Sequence, residues 1–197
     1  MTRLEQALVR LVSDLQAGKF RWALVGGFAV TLRSEPRSTR DIDVALAVAG
    51  EQEASAAALH LRLRGYRDHP EGAVIEHKDG RLATVRFISP PVQGGSGSAI
   101  DLLITSSGVE QEVVAGADLL EILPQVWIPV ARSGHLLALK VLAGRPKDLI
   151  DIHSLLREID PAEFQLAWDT LALIEQRGFH RDKQLAVEFE KIIRSSS

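Results

Sequence analysis

A short apolar strand that breaks at two consecutive glycines, followed by a second strand opening on Asp41-Ile-Asp43, constrains this chain more than any other feature. Trp22-Ala-Leu-Val25 reads as the first strand, Gly26-Gly27 as a sharp turn, and the residues from near Phe28 as a helix. Without a Cβ, the glycines allow the backbone to come close to a bound group. Side chains alternate along a strand, so Asp41 and Asp43 face the same spot. Two like charges on one face are costly unless solvent or a cation neutralises them, and a donor set made only of carboxylate oxygens suits a hard divalent ion such as Mg2+. The pattern therefore predicts a metal site beside a glycine turn.

A third carboxylate joins them. Ser98-Ala-Ile-Asp-Leu-Leu-Ile-Thr105 is apolar on both faces except at Asp101, which predicts a central, buried strand with one charge inside it. A buried carboxylate needs a partner. The simplest arrangement places Asp101 alongside Asp41 and Asp43, so that the three share one or two Mg2+ ions.

Together, the Gly-Gly turn, the Asp-x-Asp strand opening and the lone Asp in a later apolar strand resemble the polymerase-β-like nucleotidyltransferase superfamily. Pro36-Arg-Ser-Thr-Arg-Asp-Ile-Asp43 and Leu137-Ala-Leu-Lys-Val-Leu-Ala-Gly-Arg-Pro-Lys-Asp-Leu-Ile-Asp-Ile152 extend the match to the AbiEii/MenT-type nucleotidyltransferases, toxins of bacterial toxin–antitoxin systems. The resemblance covers roughly residues 22 to 155. It implies an α/β nucleotidyltransferase core with a mixed sheet. It also implies transfer of nucleotides from an NTP to an RNA acceptor, the 3′ end of tRNA above all, which blocks aminoacylation and growth, and it implies a cognate antitoxin protein.

The same resemblance assigns roles to residues. The lysine matching Lys140 contacts the nucleotide triphosphate in that family. Asp151, and less directly Asp148, orient that lysine or the substrate. Thr39 matches a hydroxyl position whose phosphorylation silences some relatives, because a phosphate of roughly −1.5 to −2 charge repels a triphosphate.

The residues themselves add to this. His135-Leu-Leu-Ala-Leu-Lys-Val-Leu-Ala143 is apolar nearly all round, which predicts a buried helix whose lysine reaches a polar pocket or the helix end. Arg145 and Lys147 flank the break after it, and one of them is expected near phosphate. Arg33, Arg37 and Arg40 crowd the approach to Asp41 and suit either phosphate or surface ion pairs. Gly26, Gly27, Thr39, Arg40, Lys140, Arg145 and Lys147 are thus the candidate nucleotide-binding residues. Asp41, Asp43, Asp101, Lys140 and Asp151 are the candidate catalytic ones.

Composition removes other chemistries. The 197 residues contain no cysteine, so disulfides, thiolate nucleophiles and sulfur-ligated zinc are excluded. The histidines lack zinc-site spacing, and there is no Gly-x-Ser-x-Gly elbow. A net charge of −3 gives no global attraction to nucleic acid, so an RNA must be held by a local patch. No apolar run reaches the length of a membrane span, and the opening Met-Thr-Arg-Leu-Glu-Gln lacks an apolar signal core, which predicts a cytoplasmic protein.

Along the chain, Leu4, Leu8, Leu11, Val12 and Leu15 predict an amphipathic helix ending at Gly18. Glu51 to Arg64 predicts a second helix stopped by Gly65. Asp79-Gly80, between Ala73–His77 and Leu82–Ile88, predicts a hairpin. The Gly94-to-Ser98 stretch fits no phosphate-loop fingerprint and reads as a connector. Val109–Ala117 and Asp118–Leu123 read as helical, and Trp127–Val130 as a strand. From Ser133, a plausible N-cap, the chain reads as helical, with Gly144 a stop, Pro146 opening the next helix, and further helices near Ala162–Gln176 and Arg181–Ile193. This predicts an α/β core over residues 1–130 and a helical region over 131–197, packed as one unit.

Three functions fit these observations: an NTP-dependent transferase acting on RNA, the same chemistry on an aminoglycoside-like small molecule or a protein hydroxyl, and a silent nucleotide- or partner-binding module.

Overall fold

The computed structural model describes residues 1–35, 38–76, 82–91 and 95–196. Arg37, Gly94 and the Lys78-to-Gly80 turn lie outside them. An eight-stranded mixed sheet carries the fold: β1 (Trp22–Val25), β2 (Asp41–Leu46), β3 (Arg67–Asp68), β4 (Val74–Glu76), β5 (Leu82–Ile88), β6 (Ala99–Leu103), β7 (Asp118–Leu123) and β8 (Val126–Val130). Its spatial order is β3-β5-β6-β2-β1-β8-β7, with β4 paired to β5. β2 runs parallel to β6 and β1 parallel to β8, while the remaining pairs are antiparallel. The strands β1 and β2, rich in buried apolar residues, therefore sit in the middle, where both faces need cover.

The helices are α1 (Arg3–Ala17), α2 (Gly26–Arg33), α3 (Glu51–Leu63), α4 (Glu110–Ala115), α5 (Ser133–Ala143), α6 (Pro146–Glu158), α7 (Pro161–Gln176) and α8 (Leu185–Ser196). Helix α1 buries Ala7, Leu8, Leu11, Val12 and Leu15 against the core. Its start is fixed by a capping box: the Glu5 N–H donates to Thr2 Oγ1 at 3.2 Å and the Thr2 N–H to Glu5 Oε2 at 2.6 Å. Among the described residues no helix is long and apolar enough to cross a membrane.

Four expectations need correction. Helix α2 begins at Gly26 itself and not near Phe28, because Gly26 takes φ +67 and turns the chain directly out of β1. Asp118–Leu123 is a strand, not a helix. Pairing with β8 decides it, from Asp118 opposite Val130 to Leu123 opposite Val126, and the turn uses Pro124-Gln125, with Gln125 at φ +64, so no glycine marked the hairpin.

Helix α5 is not capped by the Ser133 side chain: Arg132 is the N-cap residue. The free N–H of Gly134 donates instead to Glu163 Oε2 of α7 at 2.7 Å, and Arg132 Nε donates to Glu163 Oε1 at 2.6 Å. The last helix starts at Leu185 rather than Arg181, since Arg181 and Asp182 hold φ +54 and +59.

Helix α5 is the pivot of the helical half, packing on α2, α6, α7 and α8. Gly134 allows the close approach to α7: a Cβ there would strike the Glu163 carbonyl and sit 2.8 Å from Leu166 Cβ. Gly134→Ala is expected to lower unfolding free energy by about 1–3 kcal/mol in urea denaturation.

Candidate active site

The strand register sets four residues in one row across the sheet. Val25 pairs with Asp43, Asp43 with Asp101, and Asp101 with Arg86. Neighbouring strands lie about 4.8 Å apart, so Asp43 and Asp101 are immediate neighbours on one face. Asp41 shares that face two residues earlier, at the start of β2. Arg86 answers the charge on Asp101 through a salt bridge of 3.1 Å.

Above this row lies a cavity of about 440 Å³, to which Gly26, Asp43, Asp101, Lys140, Arg145 and Arg181 all contribute. Apolar side chains of α5 and the sheet, among them Leu136, Leu139 and Leu103, make up much of its wall. Gly26 has to be glycine here: its φ is +67, and a Cβ would run into the Asp43 carboxylate.

Asp43 is the most perturbed carboxylate at the site. Its surface is only partly covered, opening to the cavity, but protein packs closely round it. Burial first, then the charge of Asp101 and more weakly that of Asp41, push its pKa up to about 6 against the pull of Lys140 and Arg145.

The cations are arranged with equal care. Lys140 is 4% exposed, and its Nζ stands 2.6 Å from Asp151 Oδ2 and 3.1 Å from Asp148 Oδ1. Both carboxylates are completely buried on α6. Asp148 also takes two hydrogen bonds from the Arg145 guanidinium, at 2.7 and 3.1 Å, and a third from the Arg145 N–H at 3.0 Å. Burial alone would raise the Asp148 pKa, but these donors and Lys140 hold it below the usual carboxylate range. The helix break Gly144-Arg145-Pro146 therefore folds back on itself: Gly144 closes α5 at φ +62, and Asp148 caps the start of α6.

Not every candidate from the sequence lies in this cavity. Gly27 is buried inside α2, where its carbonyl accepts from Thr31 Oγ1. Arg40 and Lys147 are exposed and outside the lining. Half-buried Thr39 donates from Oγ1 to the Asp41 carbonyl at 3.4 Å. Arg33 serves the fold, donating to the Val130 and Ala131 carbonyls and pairing with Asp118 at 2.8 Å.

Arg86, Arg181 and the Ser106-Ser107 loop went unnoticed in the sequence. Arg86 had a usable signal, as a lone charge in the apolar run of β5, like Asp101 in β6. Nothing in the sequence marked Arg181.

Among the described residues no group of three or more His, Asp or Glu side chains stands ready to hold a metal ion. Asp101, one of the three carboxylates, is instead paired with Arg86. The chemistry of Asp41 and Asp43 nevertheless fits a hard divalent ion: the donors are all oxygen, and a cation would offset both the burial and the neighbouring negative charge that lift Asp43 to about 6.

Carboxylates in register on two neighbouring parallel strands of a mixed sheet thus share one cavity with a lysine on a buried helix. The model of the AbiEii nucleotidyl transferase toxin family, a type IV toxin–antitoxin system, matches residues 6–195, and the chain belongs to that family.

Solved structures share the fold at low identity. A nucleotidyltransferase-like protein from Paracoccidioides brasiliensis is 17% identical with a TM-score of 0.55, over 89% of this chain and 88% of that one. The lincosamide antibiotic adenylyltransferase LnuA, lincomycin-bound, is 16% identical with a TM-score of 0.52, over 79% and 98%. ANT(2'')-Ia, in complex with adenylyl-2''-tobramycin, is 12% identical with a TM-score of 0.51, over 88% and 98%. No curated protein matches the sequence.

The raised Asp43 pKa fixes a sign. The folded protein holds a proton on Asp43 that the unfolded chain releases near 3.8, so stability contributed by protonation is present at low pH and is lost as pH rises through about 6. In chelator, Asp43→Asn is expected to stabilise the protein at pH 8 by on the order of 1–3 kcal/mol, with the gain shrinking as pH falls below about 6 and vanishing by about pH 3, below the unfolded value. Thermal melts of both proteins at the two pH values check this.

Proposed function

We propose that this protein transfers a nucleotide from an NTP to an RNA acceptor, the 3′ end of tRNA, and thereby acts as the toxin of a toxin–antitoxin pair. The observation that carries the reading is one cavity lined by Gly26, Asp43, Asp101, Lys140 and Arg145, acidic on the sheet side and basic on the helix side. A nucleoside triphosphate needs both: carboxylates for the metal that accompanies it, and cations for its phosphates.

Asp41 and Asp43, with Asp101 beside them, would hold Mg2+, which supplies charge neutralisation at the phosphates and the leaving pyrophosphate. Gly26 admits the phosphate chain close to the backbone, as no side chain could sit there without displacing Asp43. Lys140, fixed by Asp148 and Asp151, presents its charge without having to search for a rotamer. Arg145 is steadied by Asp148 in the same way. Asp101, oriented by Arg86, either joins Asp41 and Asp43 on the metal or accepts the proton of the attacking hydroxyl.

The toxin family supports nucleotide transfer and an antitoxin partner; the RNA acceptor follows from the resemblance to nucleotidyltransferase toxins noted in the sequence. Exposed Arg40 and Lys147, each next to a site residue in sequence, could meet its phosphates. The fold shared with LnuA and ANT(2'')-Ia supports the competing acceptor, a small antibiotic molecule.

Incubation with each labelled NTP, Mg2+, total RNA and, in parallel, an aminoglycoside and a lincosamide separates the two. Labelled tRNA is expected with the wild type and a loss of more than about a hundredfold with Asp43→Ala. Labelled antibiotic with unlabelled tRNA would overturn the acceptor, and no label anywhere would overturn the transferase. Growth arrest on induction by the wild type and not by Asp41→Ala links the chemistry to toxicity.

Thr39 offers a control point, since a phosphate there would stand beside the metal-binding carboxylates and repel the incoming triphosphate. Thr39→Glu is expected to cut nucleotide transfer about tenfold or more, measured as initial rate, while Thr39→Val stays near wild type.

A further inference from the structure

Charge matching inside the cavity singles out a residue from the far end of the chain. On the helix side, Lys140 and Arg145 are each already partnered, Lys140 by Asp148 and Asp151 and Arg145 by Asp148. On the sheet side Asp101 is matched by Arg86. Arg181 also lines the cavity, and among the described residues no carboxylate stands within ion-pair distance of it. The nearest acidic influence is Glu110, whose carboxylate is engaged by the Ser107 N–H at 2.7 Å and Ser107 Oγ at 2.9 Å.

Arg181 is nonetheless held in place. Its guanidinium donates to the Ser106 carbonyl at 3.0 Å and to Ser106 Oγ at 3.3 Å, on the loop that follows the Asp101 strand. Its backbone, with that of Asp182, occupies the left-handed region that non-glycine residues seldom adopt, a strain tolerated where position matters. Two residues on, Lys183 Nζ donates to the Leu142 and Ala143 carbonyls at 2.8 and 3.3 Å, fastening the segment to the end of α5. Arg181 and Arg145 also face each other closely enough that, after burial, Arg145 is the main pressure against the Arg181 charge. Two guanidinium groups brought together in one cavity make an anion site.

We propose that Arg181 binds the polyphosphate of the incoming nucleotide, supplying the surplus positive charge that the internally matched Lys140 and Arg145 do not. This rests on the transferase reading above and adds a nucleotide-positioning residue from the turn between α7 and α8. It accounts for the left-handed turn and for the tether to Ser106, which holds the guanidinium at the wall of the cavity that Asp43 also lines. A phosphate chain reaching Arg181 spans the cavity, so discrimination should grow with the number of phosphates.

Calorimetric titration of Mg2+ with NTP, NDP and NMP tests it without any acceptor. Arg181→Asn removes the guanidinium yet tolerates the left-handed backbone; Arg181→Lys keeps a charge but not the fork. The expected result is about a tenfold weaker affinity for NTP with Arg181→Asn, a smaller change for NDP, none for NMP, and partial recovery with Arg181→Lys. Inorganic tripolyphosphate should compete with NTP on the wild type and lose that ability on Arg181→Asn.

Equal losses for NTP and NMP, or none, would overturn the proposal. So would an unchanged NTP affinity alongside a raised KM for the RNA acceptor, which would assign Arg181 to acceptor phosphates. Should Arg181→Asn not fold, Ser106→Ala, which frees the guanidinium from its hydroxyl anchor, is expected to weaken NTP and spare NMP, and indifference to it would count as refutation. A wild type that binds no NTP at all sinks the transferase reading itself, whereas wild-type binding that ignores Arg181 sinks only this inference.

Discussion

Everything at this site depends on the register between two parallel strands. Asp43 lies opposite Asp101 because Asp41 lies opposite Ala99 and Ala45 opposite Leu103. A slip of a single residue would send one carboxylate to the other face of the sheet and put apolar side chains where the charges stand. The register is protected by what flanks the aspartates: Ile42, Val44, Ile100 and Leu102 are all fully buried on the opposite face. Apolar burial on one side of the sheet thus fixes electrostatic crowding on the other, and the free energy of the core is what holds two carboxylates together.

The second constraint is that Lys140 and Arg145 are matched by carboxylates of α6. Lys140 sits between two buried carboxylates, one of which is also matched by Arg145, and removing Lys140 from this trio would leave an uncompensated buried carboxylate, a loss on the order of 3–5 kcal/mol. The same trio links α5 to α6 across the Gly144-Arg145 break. Fold stability and the presentation of an ammonium group to the cavity therefore rest on the same contacts. Asp148 and Asp151 matter to the site although neither lines the cavity.

Much of this was legible in the sequence, for a physical reason. Strand alternation puts Asp41 and Asp43 on one face whatever the surroundings, an isolated charge in the apolar run around Asp101 needs a partner, and a helix apolar all round leaves Lys140 nowhere to go but a polar pocket. What stayed hidden depended on tertiary pairing. Asp118–Leu123 alternates too weakly to reveal a strand, and its turn has Gln125 where a glycine would have announced it. Arg33 looked like a phosphate ligand because its carbonyl partners at Val130 and Ala131 are about a hundred residues away along the chain. Arg181 owes its place to a backbone conformation that its residue type disfavours, so local propensity pointed to a helix instead.

Glu163 reaches from α7 to secure the first turn of α5, while Lys183 fastens the last turn of the same helix. Both supports come after the sheet in the order of synthesis. On a ribosome the acidic strands emerge first, and the lysine-bearing helix is braced at both ends only once α7 and the turn beyond it have been made. A site built this way is complete only when the later helices clasp what was already there.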